Sequence, residues 1–147
     1  MSAHSPVERF RTATETLSPA RTLVLLYERL QRDLVDAEDA ITSGDRYRAH
    51  QALLHAQEIV AELDVALDAS QWSDAARLSS IYRFLTSRLI AANVGQDAAA
   101  VRDCRAVVDP LVDTWREAWQ QQSSAAAAPA AAPPAGEVRR VPLDVTG

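Results

Sequence analysis

Three histidines, His4, His50 and His55, and one cysteine, Cys104, are the side chains of this 147-residue chain best suited to hold a metal or act as a nucleophile. Their spacing argues against both. His50 and His55 are five positions apart, about 140° around a helix, so they do not share a face. A metal pair on a helix needs a spacing of three or four. His55 and Glu58 have that spacing, but a carboxylate-bridged di-iron bundle uses Glu-x-x-His, in that order and twice. Both histidines therefore read as surface residues on a polar helix face. Cys104 falls on an apolar stripe, where burial raises a thiol pKa and makes it a small hydrophobe. There is no Gly-rich phosphate loop, no CxxC and no nucleophile elbow.

One enzyme-like reading stays open, a histidine phosphotransfer bundle. Such bundles set one exposed histidine beside small residues and a lysine. "RAHQALL" around His50 and "LLHAQEI" around His55 offer neither, and the chain has no lysine at all. The expectation is a protein with no catalysis, no cofactor and no metal.

The elements that carry these residues are helices. The first starts at Ser18-Pro19, with Ser as cap and Pro at the position where a missing N–H costs nothing. Its stripe is Leu23, Leu26/Tyr27, Leu30, Leu34, Ala37 and Ile41, at three-and-four spacing. Gly44 ends it in a left-handed turn and Asp45 caps the second helix. The second stripe is Ala49, Leu53, Ala56, Val60, Leu63 and Leu67. Ser73 caps the third, with Asp74 in the first turn; its stripe is Leu78, Ile81/Tyr82, Leu85, Leu89 and Ala92, and Gly95 is its stop. Asp97 caps the fourth, which carries Val101, Cys104, Val108, Leu111, Trp115 and Ala118/Trp119. Pro110 kinks that helix or splits it. Short links force antiparallel neighbours, so the fold class is all-α, an antiparallel up-down four-helix bundle. Residues 1–17 form an N-terminal arm and 18–120 the bundle. The Ala/Pro-rich residues 121–147 form a disordered tail.

Composition narrows the partners. The net charge of −5 opposes a phosphate-binding field, so no nucleic acid is expected. All 15 basic residues are Arg, which reads as a compositional bias. A single cysteine fits a reducing compartment. "MSAHSPVERFRTATETLSP" has no apolar signal core, and no run approaches the ~20 residues that span a bilayer. A cytoplasmic protein with no membrane insertion is the expectation.

The apolar residues off these stripes are more informative. "TLVLLYERL", residues 22–30, is apolar nearly all the way round: Val24 and Leu25 exceed what the core needs. In the second helix, Tyr47, Leu54, Ala61 and Val65 make a second stripe about 150° from the first. In the third, Phe84 and Ile90 flank the stripe and Val94 lies behind it. A second stripe marks a homodimer seam, cover by the arm through Val7, Phe10 and Leu17, or a groove for a partner helix.

Four blocks, in order, resemble the FliS family of flagellin-specific secretion chaperones: "LSPARTLVLLYERL", "SGDRYRAHQALLHAQEIVAELDVALD", "LSSIYRFLTSRLIAANVGQD" and "VVDPLVDTWREAW". The resemblance spans about residues 10–119. It implies an antiparallel helical bundle that binds the C-terminal helical segment of flagellin in the cytoplasm. Binding would prevent premature polymerisation and help deliver the client to the flagellar export apparatus. It also implies contacts at Gln57 and Ile59 in the "AQEIV" block, to which the surface reading adds Tyr47, Leu54 and Val65. Phe10 stands near the position where the family carries an arm Tyr, and Leu25 is its expected contact. A helical adaptor or self-associating protein without a flagellin client is the alternative.

Overall fold

The computed structural model describes residues 19–68 and 74–131. They form four helices: α1 (Pro19–Thr42), α2 (Arg46–Asp68), α3 (Ala75–Gly95) and α4 (Ala98–Ala131). No strand occurs among the described residues. The arm, the Ser18 and Ser73 caps and residues 132–147 lie outside them.

Local chemistry sets the links. Gly44 takes φ 79, and the N–H groups of Gly44 and Asp45 donate to Ile41 O at 3.1 Å and Ala40 O at 2.8 Å. This closes α1 on its otherwise unpaired carbonyls. Asp45 Oδ1 then accepts the Arg48 N–H at 3.0 Å and caps α2. The α3–α4 link repeats the device with one change. Gly95 is the last residue of α3, and the left-handed position falls on Gln96, φ 50. The Asp97 N–H reaches Ala92 O at 3.0 Å, and Asp97 Oδ1 caps α4 by accepting the Ala99 N–H at 2.9 Å. Asp74, before α3, makes no side-chain cap bond.

Each helix packs on two others: α1 on α2 and α4, α3 on α2 and α4. The cross-links give the sense. Along α1, Glu28, Gln31 and Glu38 meet Arg116 (2.7 Å), Asp109 (2.8 Å) and Arg105 (2.7 Å) of α4 in descending order. Those helices are antiparallel, and the bundle is up-down as the short links require. The core is Leu alternating with Ala. Ala37, Ala40, Ala49, Ala56, Ala92 and Ala100 are all fully buried, so helix backbones approach closely around Leu30, Leu34, Leu53, Leu63, Leu85 and Leu89.

Three expectations change. Val24 is core, 1% exposed, while Leu23 is only partly buried. Val24 lies in the row Arg21, Val24, Glu28, Gln31, whose members at 21, 28 and 31 all meet α4. A helix with neighbours on two sides buries a wider arc than one stripe. Second, α4 runs through Pro110 unbroken, so the helix does not restart there; Thr114 Oγ1 donates to Pro110 O at 3.0 Å. Third, residues 121–131, assigned above to a disordered tail, continue α4. Extending an existing helix avoids the cost of nucleation, and alanine is the best helix former. At 34 residues α4 is about 51 Å long. Trp119 still packs under the Arg21 guanidinium at 4.7 Å, near the start of α1, while residues 120–124 are exposed.

Candidate functional site

The residues singled out for chemistry separate in space. His50 is exposed and its ring meets the Asn93 side chain of α3, 2.9 Å from Nδ1 to the amide nitrogen. His55 points the other way, about 140° round α2. It is not the solvated residue expected above. Its Nδ1 lies 2.5 Å from Asp33 Oδ2 of α1, with His55 13% and Asp33 5% exposed at their side chains. Burial pushes the Asp33 carboxyl above its ordinary range, against the pull of the His55 hydrogen bond and of the His55 and Arg29 charges. The Arg29 guanidinium stands 3.5 Å from Asp33 Oδ1. The cluster is a polar tie between α1 and α2. Cys104 is fully buried on α4, and burial pushes its thiol up to about 12, so it stays protonated and unreactive. Among the described residues, no group of three or more His, Cys, Asp or Glu is placed to hold a metal. No helix there is long and apolar enough to cross a membrane.

The surplus apolar surface is a better candidate. Tyr47 (75% exposed), Leu54 (40%) and Val65 (63%) stand out on α2, and Phe84, Ile90 and Val94 on α3. Val35 of α1 is also exposed and was not singled out by its sequence position. Helix rotation locates most of them. On α2 the heptad row His50, Gln57, Asp64 faces α3, because His50 meets Asn93 and Asp64 shares a cavity with Tyr82. Tyr47 and Leu54 lie within about 60° of that row and Val65 about 100° from it. On α3 the row Thr86, Asn93 faces back, and Ile90 and Val94 lie within about 100° of Asn93. The α2–α3 groove thus has a polar floor and apolar shoulders. It opens into two cavities. One of about 590 Å³ is lined by Asp64, Tyr82, Arg83, Thr86, Ser87 and Ile90. The other, of about 320 Å³, is lined by Arg46, Tyr47, His50, Asn93 and Gln96.

Four of the five α2 residues expected to contact a partner can be placed against this groove. Tyr47, Leu54 and Val65 line its shoulder, and Gln57 is half-buried on its floor. Ile59 departs from the expectation. It is 1% exposed, one turn from His55 on the side of α2 that meets α1, so its side chain is core and unavailable to a partner. Leu25 is half-buried, and Phe10, its expected contact, lies outside the described residues. Sequence reasoning missed Asp64. Its only signal was its place in the heptad row with His50 and Gln57, which reads as an ordinary polar face.

A sequence model of the family described as Flagellar protein FliS matches residues 3–122. The chain is similar to the flagellar secretion chaperone FliS of Bacillus subtilis (strain 168), 25% identical over 121 residues, which cover 82% of this chain and 90% of that protein. It is also similar to the flagellar secretion chaperone FliS of Salmonella typhimurium (strain LT2), 30% identical over 108 residues, 72% of this chain and 80% of that protein.

Proposed function

The chain belongs to the FliS family of flagellar proteins, and from that premise we propose that it is a flagellar secretion chaperone whose client is the C-terminal helical segment of flagellin. It holds that segment in the cytoplasm, prevents premature polymerisation and presents it to the export apparatus. The observation that carries this reading is the α2–α3 groove, where Tyr47, Leu54, Val65, Ile90 and Val94 remain exposed beside a polar floor. An amphipathic helix laid on these shoulders makes the apolar contacts it would otherwise make with other copies of itself.

The magnitudes suit a releasable client. Covering the exposed parts of five such side chains, roughly 600 Å², is worth at most about 15 kcal/mol at ~25 cal/mol per Å², and association itself costs about 4–15 kcal/mol in lost translational and rotational freedom. Folding the segment on binding costs about 2–5 kcal/mol. This groove alone therefore gives weak binding, and useful affinity needs polar anchoring or contacts beyond it. The arm, with Phe10 facing Leu25, is a proposed shield of nearby apolar surface between clients.

Titration calorimetry of the full chain with a flagellin C-terminal peptide tests the reading. Saturable binding with a negative heat-capacity change and a gain of helical circular dichroism is expected. A helical adaptor without this client gives no heat of binding, and that result overturns the proposal.

A further inference from the structure

The α2–α3 groove contains a group that the described residues leave unsatisfied. Asp64 Oδ1 is buried and has no hydrogen-bond partner among the described residues. A carboxylate oxygen in that state has given up water without a replacement, which is costly enough to require a reason. Its neighbours are committed elsewhere. The Tyr82 hydroxyl bonds Tyr27 at 2.6 Å. Arg83, on the wall of the same 590 Å³ cavity, turns its terminal nitrogens to the hydroxyls of Ser79 (3.1 Å) and Ser80 (3.4 Å). The acid and the guanidinium thus line one cavity without an ion pair between them among the described residues. Val65, the next residue along α2, and Ile90, on the α3 wall, are exposed beside the carboxylate.

We infer that Asp64 is the polar anchor of this groove and receives a Lys or Arg side chain from the apolar face of the bound helical segment. The inference rests on the proposed flagellin client and names the feature of that client which the groove selects. Charge complementarity supports it: a carboxylate on a polar floor between apolar shoulders matches a long side chain with an apolar stem and a cationic tip. The stem crosses the Val65 and Ile90 shoulder, and the tip makes a charge-assisted hydrogen bond to the oxygen that lacks one. Apolar shoulders accept any greasy helix, whereas the buried Oδ1 of Asp64 penalises one with no donor at that register. The groove thereby gains the selectivity that apolar contact lacks.

The test is a calorimetric cycle with the full chain. Wild type and Asp64→Asn are each titrated with the flagellin C-terminal peptide and with peptides in which each Lys or Arg is replaced singly by Gln. Asp64→Asn is expected to bind the parent peptide about tenfold more weakly. One peptide variant is expected to lose about tenfold with wild type and nothing further with Asp64→Asn, and wild-type binding alone should weaken steeply with NaCl. The variant should unfold cooperatively at a Tm no lower than wild type, since a stranded charge has been removed. The peptide series on the wild-type chain reads the same contact without altering the fold. Undiminished binding by Asp64→Asn, or a series in which no cation couples to Asp64, overturns the inference while leaving the flagellin reading in place. If deleting residues 1–17 abolishes the difference between wild type and Asp64→Asn, the carboxylate serves the chain's own arm and the inference also fails. Absence of any binding to the parent peptide by wild type is a separate outcome: it removes the flagellin client, and this inference with it.

Discussion

Tyr27 of α1 and Tyr82 of α3 meet hydroxyl to hydroxyl at 2.6 Å, across the core between helices on opposite corners of the bundle. The Tyr27 ring also stacks on Trp115 of α4, with centroids 5.9 Å apart and planes 26° from parallel. One side chain of α1 therefore fixes the positions of both α3 and α4. Apolar packing tolerates sliding of one helix along another; a hydrogen bond in a dry interior does not.

Replacing Tyr27 with Phe strands the Tyr82 hydroxyl in the core. The expected cost is about 1–3 kcal/mol, seen as a lower urea midpoint, and the double change with Tyr82→Phe should recover part of it. Burial raises both phenol pKa values above 10.0. The folded state then holds protons that the unfolded state releases. Stability is fully present below pH 10.0 and is lost as pH rises through the folded values. Urea midpoints of wild type should fall above that pH, and those of the double variant should fall less.

The tie between α1 and α2 has the same logic with a charge in it. His55→Ala leaves the buried Asp33 carboxylate with only the half-exposed Arg29 guanidinium as a partner and should cost about 1–3 kcal/mol near neutral pH. Asp33→Asn is milder. The Asp33 pKa is raised above 3.8, so its contribution is fully present below that pH and declines as pH rises through the folded value. Asp33→Asn should therefore gain on wild type as pH is raised from about 4, in paired denaturation curves. Equal pH profiles for the two proteins would contradict the buried carboxylate.

Leu54 and Ile59 sit five residues apart on α2 and separate surface from core. Leu54→Asp should unfold cooperatively, within about 1 kcal/mol of wild type, and bind the flagellin peptide more weakly. Ile59→Asp places a charge in the packed interior and should cost about 4 kcal/mol or more, enough to lose cooperative unfolding. Thermal melts followed by calorimetry distinguish the two.

Gln96 holds the left-handed position that ends α3, at φ 50. A side chain there costs about 1 kcal/mol that glycine avoids. Its amide donates to Asn93 O at 2.9 Å, which offsets part of the strain. Gln96→Gly should raise stability by about 0.5 kcal/mol. A lower melting temperature would mean that the side-chain bond outweighs the backbone strain.

Much of this was legible from residue order. The stripe Ala49, Leu53, Ala56, Val60, Leu63, Leu67 is buried throughout, and Asp45 and Asp97 cap the helices they precede. These are local signals: a three-and-four period and a carboxylate placed before an apolar run follow from helix geometry, whatever lies across the core. The exposure of Tyr47, Leu54, Val65, Ile90 and Val94 was legible for the same reason, as residues off the period.

Residue order alone therefore determined four helices, the turn and cap at Gly44-Asp45, the Asp97 cap and a second apolar stripe. Tertiary structure decided which corner each helix occupies, and with it the meaning of individual residues. Val24 is core because α4 covers its side of α1, and Ile59 is core because α1 covers its side of α2. His55 is a buried partner because Asp33 stands opposite it, and Asp64 Oδ1 has no partner among the described residues because Tyr82 and Arg83 are engaged elsewhere. A helical period states which residues share a face; it does not state what that face meets. That depends on side chains tens of residues away, and only the packed bundle brings them together.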